Sequence, residues 1–279
     1  MQDLKAVAAM DLPVVVGTDG SRASLEAVDW AADAAVLRGS SLWIVHASPD
    51  GPRSGRSPAR AEEVCALAAE RAALRSSQLK VTAEALWGGA AMALLEASHS
   101  ASLAVVGHRG QGGGVSSLFL GPVATAVASH AHCPAVVVRG RQDNIRGRKH
   151  RITVGLGRRH PEETAVSFAF AEAALRRCEV ETVFAWSGNS GEPRGDDRLR
   201  RERAADEALR SATGAHPGVP LLTYPVEGPT HTALLRASAE SDLLVLGARP
   251  HGSPGPRLGM VNGTVLQHAH CPVAVVPRW

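Results

Sequence analysis

Along the chain, short runs of apolar residues alternate with longer segments in which apolar residues recur at helical spacing. The apolar runs are typical of buried strands and lie at 13–16, 42–45, 79–87, 103–106 and 134–138. The helical segments lie at about 22–37, 61–76, 91–98 and 121–130, and Ser21 is a suitable N-cap for the first of them. This alternation predicts an α/β fold whose parallel sheet is covered by helices on both faces.

The second half of the chain repeats this pattern. The five residues at 130–134 recur 138 residues later, at 268–272, and eight of fifteen residues are identical between 125–139 and 263–277. Gly17 and Gly121 correspond to Gly155 and Gly259 under the same shift. A period of this length is too long for a solenoid repeat. The sequence therefore predicts two tandem domains, 1–140 and 151–279, with a linker near 141–150.

Composition and charge narrow the range of partners. The chain has 279 residues, of which 44% are hydrophobic but only 4% aromatic, so we expect a core of alanine, valine and leucine. The net charge of +3 does not require nucleic acid, and the basic run at 146–151 suits a solvated linker. No apolar stretch reaches the roughly 18 residues of a membrane span, and no signal peptide is evident. Four cysteines without disulfide-scaffold spacing suit a reducing cytoplasm.

A glycine-rich loop follows the fourth apolar run. Five glycines lie between 107 and 114, and Gly121 then opens a helical segment. A strand, a glycine loop and a helix N-terminus in this order suit an anion such as phosphate, because glycine allows the backbone to approach closely and the first N–H groups of a helix point at the ligand. A flexible surface loop is the alternative interpretation. This loop and the glycine turn at 17–20 both follow strands, so both are predicted at the carboxyl edge of the sheet, where such folds bind ligands.

Three segments together resemble the universal stress protein family. Residues 14–21 look like its first strand and turn, and residues 130–138 look like its last helix end and strand. Gly107, Gly110 and Gly121 look like its nucleotide motif, which reads G-x-x-G, nine residues, then G and serine or threonine. The resemblance covers both halves of the chain. It implies two flavodoxin-like domains, of the adenine nucleotide alpha hydrolase-like type, each with a five-stranded parallel sheet of order 3-2-1-4-5.

The same resemblance implies ligands and assembly. Some members of the family bind ATP and others do not. Domains of the family pair through their fifth strands, so we expect the strands at 135–138 and 273–276 to pair within a chain or between chains. A homodimer is the expected assembly.

The resemblance also implies roles for individual residues in the first domain. Thr18 and Asp19 would lie in the turn after the first strand, with the Asp19 carboxylate hydrogen-bonded to the ribose of ATP. An Asx turn is the structural alternative for Asp19. The main chain near His46 and Ala47 would meet the adenine edge. The phosphates, with a magnesium ion beside them, would lie against the glycine loop and the following helix start, formed by Gly107, Arg109, Gly110, Gly112, Gly121, Pro122 and Val123.

The first domain departs from the family motif at two places. Ten residues rather than nine separate Gly110 from Gly121, and Pro122 stands where the family has serine or threonine. Proline suits the first position of a helix, but it offers a phosphate neither a hydroxyl nor an N–H group. We therefore expect a nucleotide site of reduced affinity. His108 and Arg109 would add positive charge there, with solvated loop residues as the equally good alternative.

The second domain departs further from the motif. Gly157 occupies the position of Asp19, Met260 occupies that of Pro122, and prolines stand at 250, 254 and 256. Proline removes amide donors where a phosphate would lie. The sequence therefore predicts that the second domain binds no nucleotide.

Other chemistry has less support in the sequence. G-x-x-x-x-G-K-[ST], H-E-x-x-H and C-x-x-C patterns are absent. His130, His132 and Cys133, with their copies in the second half, are candidate metal ligands, but the family resemblance explains them structurally. No catalytic set stands out, so a dedicated enzyme is not expected. Two function classes remain, a nucleotide-binding stress or signalling protein and an interaction scaffold without nucleotide, with a slow ATPase as a third option.

Overall fold

The chain folds into two compact units, Met1–Arg139 and Gly140–Trp279. The computed structural model describes residues 12–48, 58–111, 120–156, 163–186, 195–248 and 258–278. Within these ranges, no helix combines the length and the apolar character that crossing a membrane requires.

In the first unit, strands alternate with helices as the sequence predicts. The elements are β1 (Val14–Gly17), α1 (Arg22–Arg38), β2 (Leu42–Ser48), α2 (Pro58–Ala73), β3 (Val81–Trp87), α3 (Ala90–Ala97), β4 (Leu103–Gly107), α4 (Pro122–His130) and β5 (Ala135–Val138). All strand pairs are parallel, and their order in the sheet is β3-β2-β1-β4-β5. The predicted order 3-2-1-4-5 is confirmed.

The second unit repeats this topology after a short helix, α5 (Gln142–Ile145). Its elements are β6 (Arg151–Gly155), α6 (Glu163–Arg176), β7 (Glu179–Trp186), α7 (Gly195–Ala215), β8 (Leu221–Glu227), α8 (Thr230–Ser238), β9 (Leu243–Gly247), α9 (Met260–His268) and β10 (Val273–Val276). The parallel order β8-β7-β6-β9-β10 is again 3-2-1-4-5 within the unit.

The core of each unit lies between the sheet and its covering helices. The three valines of β1 have no exposed surface, and the buried face of α1 consists largely of alanine. Small side chains on the helix fit against branched side chains on the strands, which agrees with the low aromatic content. Phe170 of α6 is an exception, since it is a fully buried aromatic side chain.

The segment at 140–150 packs on the second unit and differs from the solvated linker that we expect from its charge. Asn144 is fully buried. Its Nδ2 donates at 2.8–3.3 Å to carbonyl oxygens at the end of α8 and just after it, those of Ser238, Ala239 and Ser241. The N–H groups of Lys149 and His150 donate to the two carboxylate oxygens of Asp242, at 2.8 and 2.7 Å. The backbone is therefore anchored, although the charged side chains of the segment remain partly or largely exposed.

Candidate functional site

The turn after β1 is held by a network of hydroxyl groups. Thr18 is buried, and its Oγ1 lies 3.2 Å from Ser24 Oγ and accepts a hydrogen bond from Gly20 N–H at 3.3 Å. Ser21 caps α1, as predicted, because its side chain accepts a hydrogen bond from Ser24 N–H at 3.3 Å. Gly20 has a φ of 78°, which favours glycine. The side chain of Thr18 therefore supports the turn from within the fold.

The Asp19 carboxylate connects this turn to the loop after β4. Oδ1 accepts a hydrogen bond from Ser21 N–H at 3.0 Å, and Oδ2 accepts one from Gln111 N–H at 2.6 Å. Gln111 Nε2 also donates to Asp19 O at 2.6 Å. Burial raises the pKa of Asp19, but the hydrogen bonds from Ser21 and Gln111 outweigh burial and leave the pKa below its ordinary value. Asp19 is therefore an ionised residue in an Asx turn, bound to a loop 92 residues away in sequence.

Close contacts surround two glycines, Gly107 at the end of β4 and Gly110 in the loop that follows. A Cβ added at Gly107 would lie 2.6 Å from the carbonyl oxygen of Ala23, and one added at Gly110 would collide with Asp19 Oδ2. Gly121 is different, because a Cβ there would lie 3.5 Å from the nearest atom of the described residues, which is an ordinary contact. These contacts explain glycine at 107 and 110, whereas no described residue gives glycine at 121 a packing reason.

The N-terminus of α4 lies against the same loop. Gly121 N–H donates to His108 O at 2.9 Å, and Pro122 occupies the first turn without an N–H of its own. The N–H groups of Val123 and Ala124 follow, and no side chain of the N-cap satisfies them. The first N–H groups of a helix have no partner within the helix, and the helix dipole favours negative charge beside them. The start of α4 can therefore offer two amide donors to an anion.

His108 and Arg109 are the two residues that we expect to add positive charge to the loop after β4. Burial, helped by the nearby Arg139, lowers the pKa of His108, so its imidazole is neutral at pH 7 and adds no positive charge. His108 Nδ1–H donates to Val138 O at 3.3 Å, which fixes the ring to β5. Arg109 is half-buried in the loop between Gly107 and Gly110.

Gly112, which we expect beside the phosphates, lies outside the described residues.

His46 and Ala47 lie inside β2, whereas the sequence pattern predicts that this strand ends at residue 45. Pairing with β3 continues to the end of β2, with His46 opposite Ala85 and Ala47 opposite Leu86. His46 Nδ1–H donates to Thr18 O at 2.8 Å. The side chain of His46 therefore holds the turn after β1.

The main chain of Ala47 points toward the candidate site. The N–H and C=O groups of successive residues in a strand point to opposite sides. Leu42 N–H and Ser48 O are hydrogen-bonded on the side of β3, and Val45 O accepts from Thr18 N–H on the side of β1. Odd-numbered residues of β2 therefore face β1. Because β1 ends at residue 17, the main chain of Ala47 faces the space above that end, and the main chain of His46 faces β3.

The corresponding edge of the second unit carries other side chains. Leu156 and Phe184 occupy the positions of Thr18 and His46 under the 138-residue shift. Leu156 N–H still donates to Val183 O at 3.0 Å, so the main-chain bond of the turn is kept. The hydroxyl and imidazole groups that organise the first unit are replaced by apolar groups.

The start of α9 also differs from the start of α4. Asn262 Nδ2 donates to Gly247 O at 2.9 Å, which ties the first turn of α9 to the end of β9. Alanine stands at the same position in the first unit, Ala124. The position of Gly157 and the prolines at 250, 254 and 256 lie outside the described residues.

Two residues of the site are missed by sequence reasoning. Gln111 bonds both the carboxylate and the carbonyl oxygen of Asp19, yet it stands in a glycine loop with no pattern that marks it. Ser24 shares the hydroxyl network of Thr18, and its spacing of three residues from the Ser21 cap is a signal that could have revealed it.

The histidine copies that follow α4 and α9 have structural contacts. The His132 ring stacks on His99 with centroids 3.5 Å apart, and His132 N–H donates to Ser98 Oγ at 2.9 Å. His270 N–H donates in the same way to Ser238 Oγ, at 3.0 Å. Within the described ranges, no group of three or more metal-binding side chains is placed to hold an ion.

Each unit has five parallel strands in the order 3-2-1-4-5. In the first unit, the aspartate turn, the loop after β4 and the start of α4 meet above β1 and β4. These features define a doubly wound α/β protein with a candidate anion site in its first unit. The sequence profile of the universal stress protein family matches residues 12–139 and again residues 149–277. The chain therefore belongs to the universal stress protein family.

Named relatives match nearly the whole chain. Universal stress protein Rv2624c from Mycobacterium tuberculosis (strain H37Rv) is 30% identical over 275 residues, which cover 95% of this chain and 96% of the relative. Universal stress protein Rv2623 from the same strain is 31% identical over 286 residues, with the same coverage of 95% and 96%. A crystal structure of a universal stress protein from Archaeoglobus fulgidus has a TM-score of 0.75 at 18% identity, covers 96% of this chain and 98% of its own, and shows the same fold.

Proposed function

We propose that the first unit binds one adenine nucleotide above the carboxyl ends of β1 and β4, and that the chain is an ATP-binding stress-response or signalling protein. The observation that supports this most directly is the convergence of three segments at one place. Gln111 bonds Asp19, and Gly121 N–H bonds the loop after β4 at 2.9 Å, so turn, loop and helix start form one surface. In this strand order, β1 and β4 flank the switch point where doubly wound sheets bind ligands.

The residues of this surface fit the parts of a nucleotide. The main chain of Ala47 faces the side where the adenine edge would lie. The Asp19 carboxylate has about four acceptor positions, and the N–H groups of Ser21 and Gln111 occupy two of them, so it can also accept a ribose hydroxyl. The phosphates would lie at Gly121, Val123 and Ala124, where a Cβ is missing and two amides point outward.

The proposed role is binding rather than catalysis. A magnesium ion would be held chiefly by the phosphate oxygens and water, which is its usual arrangement beside nucleotides. A slow ATPase activity would appear as phosphate release that exceeds the release by a variant with a blocked site.

An interaction scaffold without nucleotide is the second candidate. One observation favours it: the Asx turn and the contact with Gln111 give Asp19 and Gly110 structural roles that need no ligand. On this reading, the loops at the carboxyl edge are a surface for a protein partner. The two candidates differ in one measurable property, the binding of ATP by the purified chain.

Isothermal titration of the full chain with ATP and magnesium chloride tests the proposal. We expect a stoichiometry near one nucleotide per chain and an affinity reduced by the missing donor at Pro122, by about 1–3 kcal/mol. Gly121→Val should abolish binding, because its side chain would occupy the phosphate position. Gly121 is the best position for this test because its φ of −66° suits any residue and the described residues around it leave room for a Cβ.

Gly259→Val is the matched control, since Gly259 is the N-cap of α9 with a φ of −61°. It should leave binding unchanged, because we propose that the second unit takes no nucleotide. Absence of both heat and thermal stabilisation with millimolar ATP would make the scaffold the better description. Two nucleotides per chain would contradict the assignment of a single competent site.

A further inference from the structure

A second candidate site lies in the second unit, at the edge of its sheet where the strands begin. An open cavity of about 630 Å³ lies there. Its lining comes from the first residues of β7, the segments before β6 and β8, and the C-terminal ends of α6 and α7. This volume is typical of small-molecule sites. We call it the amino-edge cavity. Its apolar wall consists of Ala173, Ala174, Ala215, Pro217, Val219 and Pro220.

The polar lining of the amino-edge cavity favours an anion. Arg177 supplies a permanent positive charge, and His150 and His216 supply two imidazoles. The one carboxylate in the lining, Glu179, is paired with Arg151 at 2.6 Å. Burial raises the pKa of the Cys178 thiol to about 11, so this lining residue carries no negative charge near pH 7.

Backbone strain is concentrated at the same cavity. In the described part of the chain, His150 and Arg177 are the only residues other than glycine with positive φ, at 54° and 53°, and both line the cavity. His150 is held by its N–H bond to Asp242 Oδ2 at 2.7 Å and by Glu179 N–H, which donates to its carbonyl oxygen at 3.1 Å. Residues held in this region are strained, and such residues concentrate at functional sites.

The internal repeat shows that arginine at 177 is not needed to end the helix. Gly39 holds the same position after α1 with a φ of 65°, and its N–H donates to Val36 O at 3.1 Å. Arg177 N–H donates to Ala174 O at 3.3 Å, so both helices end in the same motif. Glycine is the low-strain residue there. The second unit therefore replaces a relaxed glycine by a strained arginine at the mouth of a cavity.

We propose that the amino-edge cavity binds a small carboxylate with an apolar body, in which Arg177 pairs with the carboxylate and the alanine and proline wall contacts the body. A guanidinium and a carboxylate form charge-assisted, often bidentate hydrogen bonds. The proposal does not depend on nucleotide binding by the first unit. The structural alternative is that Arg177 only interacts with the negative end of the α6 dipole.

The test uses the full chain, with 2-naphthoate as the probe and the neutral, nearly isosteric 2-naphthamide as the control ligand. Ligand-observed NMR and calorimetry measure the binding of each. We expect saturable binding of the naphthoate and at least about tenfold weaker binding of the amide. Arg177→Gly and Arg177→Asn should each weaken the naphthoate by at least about tenfold, since both suit a positive φ but lack the charge. Arg236→Gln removes an exposed arginine of α8 that does not line the cavity, and it should leave binding unchanged.

Thermal melting separates strain from a purely structural role. Relief of the strained conformation should raise the melting temperature of Arg177→Gly by about 2–4 °C, whereas loss of a structural contact would lower it. The proposal is overturned by absence of saturable binding at millimolar naphthoate, by equal binding of the amide, or by unchanged binding to Arg177→Gly. A lower melting temperature for Arg177→Gly would overturn the argument from strain.

Discussion

Replacing Asp19 tests whether its carboxylate holds the two loops of the first unit together. Asp19 accepts hydrogen bonds from Ser21 N–H at 3.0 Å and from Gln111 N–H at 2.6 Å. Asp19→Ala leaves both donors without this acceptor. Asp19→Asn keeps one amide oxygen but places an NH₂ group opposite one of the two N–H donors, so it should lose about half as much.

The magnitude follows from the two bonds and their exposure. A hydrogen bond to a charged group contributes about 1.5–3 kcal/mol when buried. Asp19 is half-buried, so water can replace part of each bond, and we expect Asp19→Ala to lower the free energy of unfolding by about 2 kcal/mol and Asp19→Asn by about 1 kcal/mol. Since the folded-state pKa of Asp19 lies below its ordinary value of 3.8, this stabilisation is present above that value and is lost as pH falls through the folded-state pKa.

Urea unfolding without nucleotide, followed by circular dichroism between pH 3 and pH 7, measures these differences. Asp143→Asn is the control, because Asp143 and its partner Arg148 are both more than 60% exposed and such pairs contribute little. The gap between wild type and Asp19→Asn should narrow as the pH approaches 3. If Asp19→Asn were as stable as wild type at pH 7, the carboxylate would not hold the loops, and the contact with Gln111 would have no energetic role.

Three further predictions concern thiols, the anchored segment and assembly. Burial raises the pKa of Cys133 to about 12 and that of Cys178 to about 11, so an aromatic disulfide reagent at pH 8 should modify both only after unfolding. Rapid absorbance change in the native protein would contradict this. Asn144→Ala should lower the free energy of unfolding of the second unit by about 2 kcal/mol in urea titration, because three carbonyl oxygens lose the buried amide group that donates to them. A loss below about 0.5 kcal/mol would show that the segment is not anchored there. Light scattering should give a homodimer, twice 29.1 kDa, and a strict monomer at high concentration would exclude it.

The fold was predictable because its signals are local. Apolar runs and helical periodicity locate every strand and helix of the first unit to within a few residues, and the internal repeat extends the topology to the second. The end of β2 was not predictable in this way. Residues 46–48 join the strand because β3 continues beside them as far as Trp87, and the apolar pattern of β2 itself does not carry that information.

The site was predictable only in part because its contacts join distant segments. The sequence marks Asp19, Gly107 and Gly110, but the structure gives each of them a packing reason that no local pattern contains. Gln111 meets Asp19 across 92 residues, and nothing near it in sequence indicates that contact. Asn144 is similar, since it stands beside a basic run and is buried by carbonyl groups 94–97 residues away.

The central position of β1 also has a consequence for the order in which the first unit folds. Val14 pairs with Leu42 on one side and with Leu103 on the other. The second pairing closes a much longer loop, which costs more chain entropy and slows its formation. We expect pulse-labelled hydrogen exchange during refolding to protect β2 before β4. The contact of Asp19 with Gln111 would then form only after β4 has joined β1, later than the His46–Thr18 hydrogen bond, so the candidate site is completed late in folding.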